Sequence, residues 1–188
     1  MDFGKYIAHR GLHDIKKGIP ENSMKAFEEA IKKGVAIELD VRLSKDGRVV
    51  VFHDKTLKRM CGVDTPVSDF TYEQLSAFRL KDTDEKIPLL SQVLKLVNGR
   101  VPVVVELKES VGVFDLEKRT YYLLKGYKGK YAVMSFNPIS LWFFRVFAPD
   151  ITRGQLISRF KNLLIISLLQ IMIPTNMIQK FFGKWKQM

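Results

Sequence analysis

Side chains able to do chemistry recur in pairs along the chain: His9 with Arg10, Glu38 with Asp40, His53 with Asp54, and Glu106 with Lys108. Each pair falls toward the end of a run rich in Val and Ile that reads as a strand. Glu38 and Asp40 are two residues apart, as are Glu106 and Lys108, and in an extended chain that spacing points both members to one face. Two carboxylates on one buried face repel each other unless positive charge lies between them. Oxygen ligands from Glu38, Asp40 and Glu106 suit a hard divalent cation, Ca²⁺ or Mg²⁺, which also accepts water or a substrate oxygen. Arg10 and Lys108 add fixed positive charge matched to phosphate oxygens. His9 and His53 can take up and return a proton near neutral pH. The set is the one that metal-assisted cleavage of a phosphoester needs. The plain alternatives are salt bridges of Glu38 and Asp40 to Arg10 or Arg42, and histidines that are only hydrogen-bonded structural groups at strand ends.

Positioning such a set requires a sheet. Strands are expected over Tyr6 to Arg10, Val35 to Leu43, Val49 to Asp54, Val101 to Lys108, Tyr131 to Phe136 and Ile151 to Ile157. Helical periodicity fills most of the gaps: Ser23 to Lys33, Tyr72 to Leu80, Ser91 to Val97, Asp115 to Leu124 and Ile139 to Phe147. In the first of these Met24, Phe27, Ala30 and Ile31 share a face, with Asn22 to cap the start and Gly34 to end it. Trp142, Phe143, Phe144 and Phe147 are read mainly as core. Strands such as Val101 to Val105 are apolar on both faces, as in a parallel sheet covered by helices, so the fold class is α/β. The link Ser44 to Arg48, with Asp46-Gly47 inside it, is short enough for an antiparallel hairpin, whereas a parallel crossover needs about a dozen residues.

Six motifs follow one another in order: His9-Arg10-Gly11, Pro20-Glu21-Asn22-Ser23, Glu38-Leu39-Asp40-Val41, Lys45-Asp46-Gly47, Val51-Phe52-His53-Asp54 and Glu106-Leu107-Lys108. In that order and spacing the chain resembles the glycerophosphodiester phosphodiesterase family, over about Tyr6 to Ile157. The resemblance implies a TIM-type (β/α) barrel that hydrolyses glycerophosphodiesters to glycerol 3-phosphate and an alcohol. It implies Ca²⁺ or Mg²⁺ on Glu38, Asp40 and Glu106, with Glu21 beside the metal. His9 and His53 become the acid/base pair, and Arg10 and Lys108 hold phosphate oxygens. Asn22 joins Glu21 as site support, although both also suit a helix start, and Phe136, after Ser135, lines the pocket. The resemblance also favours a parallel assignment for Val49 to Asp54.

At 188 residues, 46% hydrophobic and 27% charged, the chain can bury a full core, which excludes a disordered protein. One cysteine, Cys61, excludes an internal disulfide framework, and the Gly that follows it offers no base to make it a nucleophile. A closed barrel of this type takes about 250 residues, so the last two strands are expected to be lacking. Residues 1–160 are then an incomplete barrel catalytic domain and 161–188 an apolar, basic helical tail. The open edges call for the tail folded across them, a second copy of the chain, or a missing C-terminal segment. An inactive barrel serving only as a binding or structural module is the competing outcome. The net charge is +11, and from Ile151 onward Arg153, Arg159, Lys161, Lys180, Lys184 and Lys186 meet no acid. With no basic stripe carrying base-reading residues, nucleic acid is not the expected partner. A small-molecule diester is. The expected location is the cytoplasm, and the alternative is a lysophospholipase D-like enzyme whose tail touches a membrane surface.

Overall fold

The computed structural model describes residues 3–108 and 112–157. Strand β1 (Ile7–His9) leads through helix α1 (Met24–Lys32) to β2 (Ala36–Leu43), which turns back as β3 (Val49–Val51). Two short helices follow, α2 (Lys58–Cys61) and α3 (Tyr72–Leu75), and then α4 (Leu90–Val97). The chain then alternates: β4 (Val103–Leu107), α5 (Asp115–Lys125), β5 (Tyr131–Ser135), α6 (Pro138–Phe147) and β6 (Thr152–Gln155). The parallel strands lie in the order β1-β2-β4-β5-β6, leaving β1 and β6 at the edges of an open sheet. This is the expected α/β architecture of a barrel that does not close among the described residues. The tail at 161–188 lies outside them.

Strand β3 corrects the parallel expectation: it is antiparallel to β2, with Val41 opposite Val51 and Leu43 opposite Val49. Ser44 to Arg48 is too short for a crossover. Gly47, at φ +73°, turns the chain, and the Ser44 hydroxyl donates to Asp46 Oδ1 at 2.6 Å. The Asp40 carbonyl accepts from Phe52 N–H and the next carbonyl, of Val41, accepts from Lys108 N–H. Successive carbonyls point to opposite edges, so β3 extends the edge of β2 that β1 occupies lower down, while β4 holds the other. The parallel strands among the described residues therefore number five.

The main core fills the space between the sheet and its helices, with Phe27, Ile37, Leu39, Leu90, Val105, Leu116 and Phe144 fully buried. Of the aromatic set on α6, Phe143 and Phe144 are core, but Trp142 and Phe147 are 42% and 57% exposed. A second core joins Val50, Phe52, Leu57, Met60, Leu75, Leu80 and Ile87. It explains why α3 stops short of Leu80. After a reciprocal Thr71/Gln74 cap starts the helix, the Arg79 and Lys86 backbones pair in an antiparallel β-bridge and Leu80 N–H donates to the Glu85 carbonyl at 2.9 Å. Leu80 thus enters the core from the bend that follows this bridge, outside the helix.

Candidate active site

The site grows from the level at which strand ends meet. Register places His9 beside Glu38 and Asp40 beside Glu106. The two-residue spacing in β2 then stacks Glu38 and Asp40 on one face, and one oxygen from each of Glu38, Asp40 and Glu106 lies within 4.8 Å of the others. All three carboxylates are buried.

Immediately after β1 the chain turns through two left-handed residues, Arg10 at φ +57° and Gly11 at φ +81°. A non-glycine residue there carries strain that its surroundings must hold. The turn aims Arg10 N–H at Glu38 Oε2, 2.9 Å away. It also brings the Arg10 guanidinium to Glu21 Oε1 at 2.8 Å and Asp40 Oδ2 at 3.3 Å. Asn22 also lies in the left-handed region, at φ +55°, which asparagine tolerates. It does not cap α1 as expected. Ser23 does, accepting from Ala26 N–H at 3.1 Å, which frees the Asn22 side chain to donate to Asp40 Oδ2 at 2.8 Å. Lys108 lies 2.9 Å from Asp40 Oδ1 and also pairs with Glu106. The salt-bridge alternative is thus realised for Asp40 and Arg10, within the cluster rather than in place of it. Arg42 turns to the His53 carbonyl at 2.9 Å.

Three buried carboxylates face two cations, Arg10 and Lys108, and Glu38 Oε1 is buried without a hydrogen-bond partner. Burial first, and Asp40 second, push the Glu38 carboxyl well above its ordinary range. Burial likewise raises Glu106, against the pull of Lys108. A surplus of buried hard oxygen atoms that resist ionisation together fits a divalent cation. His9 Nε2 stands 4.0 Å from Glu38 Oε2. Burial and the neighbouring Arg10 lower its pKa to about 4, so the ring is a neutral imidazole at pH 7.

His53 enters through its neighbour: Nδ1 lies 2.6 Å from Asp54 Oδ1. Arg59, absent from the sequence-derived set, spans Asp54 and Glu21, with Nε 2.6 Å from Asp54 Oδ2 and Nη2 2.6 Å from Glu21 Oε1. Burial works against ionisation of Glu21, yet Arg59 and Arg10 outweigh it and bring its pKa down to about 2. No spacing rule singles out Arg59; the only local hint is a basic residue closely following His53-Asp54. Phe136, 51% exposed, lines a cavity of about 1210 Å³ together with Glu106, Lys108 and Arg42. The position of Ser135, the residue before it, is fixed by a 2.8 Å bond from its hydroxyl to the Leu107 carbonyl.

Residues 9–167 match the Glycerophosphoryl diester phosphodiesterase family, a span that contains every site residue named above. The chain belongs to that family. Similar curated members are a glycerophosphodiester phosphodiesterase of Caldanaerobacter subterraneus, 35% identical over 80% of this chain and 65% of the relative, and one of Bacillus altitudinis, 37% identical over 78% and 64%. The chain therefore spans just under two thirds of the length of these relatives. Among solved structures, a phosphodiesterase from Oleispira antarctica in complex with the product sn-glycerol 3-phosphate superposes with a TM-score of 0.78 at 25% identity, covering 89% of this chain and 72% of that one. A glycerophosphodiester phosphodiesterase from Thermotoga maritima gives a TM-score of 0.70 at 31% identity, covering 88% and 68%. Membership of the family carries the TIM-barrel ancestry of the open sheet.

Proposed function

We propose that this chain hydrolyses glycerophosphodiesters to glycerol 3-phosphate and an alcohol. The observation that carries the reading is the convergence of Glu38, Asp40 and Glu106 within 4.8 Å, beside His9, Arg10 and Lys108. Ca²⁺ or Mg²⁺ would be held by the three carboxylates, and when bound it supplies a Lewis acid that withdraws charge from the phosphate. Arg10 and Lys108 bind and orient phosphate oxygens, with their cationic groups released in part from Asp40 and Glu106 as the cluster's charge is balanced. His9 and His53 handle the protons: one imidazole accepts the proton of the attacking hydroxyl or water, the other gives a proton to the leaving alkoxide. Asp54 at His53 Nδ1 leaves Nε2 as the nitrogen that exchanges it.

A lysophospholipase D-like activity is the second reading. Phe136 at the cavity, and Ile139 and Trp142 on α6 just after it, are exposed apolar groups that an acyl chain could cover. A relative of that class, a human lysophospholipase D, is 34% identical over 65% of this chain and 41% of its own. Among the described residues no helix is long and apolar enough to cross a membrane.

The deciding assay follows glycerol 3-phosphate release from glycerophosphocholine, and from lysophosphatidylcholine the corresponding lysophosphatidic acid, with Ca²⁺ or Mg²⁺. The reading expects release by the wild-type chain and its loss in His9→Ala and Glu38→Ala. Equal release by all three proteins, or none by the wild type, overturns it.

A further inference from the structure

We infer that Arg59 is a positioning residue that locks the proton-handling and phosphate-binding halves of the site to one guanidinium; the functional part of this inference rests on the hydrolase reading above. Helix α2 makes the placement possible. Leu57 and Met60 are buried in the second core, so the intervening Arg59 projects away from it, toward the ends of β1 and β3. There all three nitrogens of its guanidinium are used. Nε and Nη2 take Asp54 Oδ2 and Oδ1 at 2.6 and 3.1 Å. Nη1 and Nη2 take Glu21 Oε2 and Oε1 at 2.9 and 2.6 Å. Two edges of one planar group thus hold two carboxylates, each by a fork of parallel bonds.

Each carboxylate passes the constraint inward. Asp54 Oδ1 is also 2.6 Å from His53 Nδ1, and Glu21 Oε1 is also 2.8 Å from the Arg10 guanidinium, which continues to Asp40. A single path therefore runs from His53 through Asp54, Arg59, Glu21 and Arg10 to the acidic triad. It joins three segments that share no strand pairing at that level. Only a guanidinium fits the middle of this path, because an ammonium is a point charge that cannot present two coplanar edges. Arg59 touches none of the candidate metal ligands, and its side chain is 42% exposed, so the fold does not depend on burying it.

The test uses the full chain with Arg59→Lys, Arg59→Ala and the isosteric Asp54→Asn, assayed on glycerophosphocholine with Ca²⁺ or Mg²⁺. A misplaced supporting group costs about 10–100-fold. The expected result is a loss of kcat of that size in Arg59→Lys with KM changed less than threefold, no rescue by lysine, and partial recovery of Arg59→Ala on adding free guanidinium. Arg59→Lys at wild-type kcat overturns the proposal, as does a loss of kcat that only follows the fraction of unfolded protein. An inactive wild type would overturn the hydrolase reading instead. The lock is then read from imidazole ¹⁵N shifts of His53: in Arg59→Lys the Nδ1-protonated tautomer should give way to a mixture, and an unchanged tautomer overturns it.

Discussion

Gly11→Ala tests how the turn after β1 positions the site. At φ +81° an alanine pays left-handed strain of about 1 kcal/mol. Its Cβ would also lie 2.8 Å from Ala26 Cβ, 2.9 Å from the Ala26 carbonyl carbon and 3.0 Å from its oxygen. Two of those atoms are backbone of α1, and the same Ala26 oxygen accepts Leu12 N–H at 3.0 Å, so relief requires moving the helix whose start carries Asn22. Overpacking of this kind adds about 2 kcal/mol, for a total of about 3 kcal/mol. Gly34→Ala is the control: φ is +64° with nothing within 4 Å of the added atom, so strain alone, about 1 kcal/mol, remains. At about 2–4 °C per kcal/mol for a chain of this size, thermal melts should show a loss of about 6–12 °C for Gly11→Ala against about 2–4 °C for Gly34→Ala. Gly34→Asn should recover most of its smaller loss, because asparagine tolerates the left-handed region, and Gly11→Asn should recover none. Equal losses in the two alanine variants would refute the close packing of the turn on α1.

Divalent cation should stabilise the fold by about 2.7 kcal/mol at a hundredfold excess over Kd, read as a higher melting temperature, and the stabilisation should grow with pH. The folded chain without metal keeps protons on Glu38 and Glu106 above the ordinary glutamate value of 4.5; the unfolded chain does not, so stability falls as pH rises above 4.5 and a cation reverses the loss. A shift that shrinks from pH 5 to pH 8 would contradict this. Glu21 has the opposite sign: with its pKa at about 2 instead of 4.5, it contributes stability above 4.5 that is lost as pH falls toward 2. Glu21→Gln should cost about 1–2 kcal/mol at pH 7, after discounting for solvent screening, and the gap should narrow from pH 5 to pH 3 in denaturant titrations. Burial pushes the Cys61 thiol up to about 11, so iodoacetamide at pH 8 should modify native protein far more slowly than unfolded protein; equal rates would show the thiol to be open.

Which parts of this were legible in the residues follows from the range of the forces involved. The two-residue spacings Glu38/Asp40 and Glu106/Lys108 directly gave a shared face, because strand geometry is local. Val and Ile runs locate the six strands among the described residues to within a few residues. The direction of Val49–Val51 is legible in a link of five residues around Asp46-Gly47, which is too short for a crossover; the parallel expectation rests on the family resemblance alone. Helix α3 ends at Leu75 instead of Leu80 because the second core takes Leu80 from a bend, although Phe78 and Leu80 keep helical spacing. Asn22 and Ser23 are both good caps, and what decides between them is the Asp40 carboxylate 18 residues away. Arg59 is marked in the sequence only by its closeness to His53-Asp54, since Glu21 is brought to it by tertiary packing.

The proposed chemistry depends on a divalent ion among the three carboxylates. Crystals soaked in Mn²⁺ and measured at its absorption edge give the most direct reading. One anomalous peak, bonded to oxygens of Glu38, Asp40 and Glu106 and absent in Asp40→Asn, is the predicted result. A map with no peak there, and those carboxylates engaged only by Arg10, Asn22 and Lys108, would contradict it.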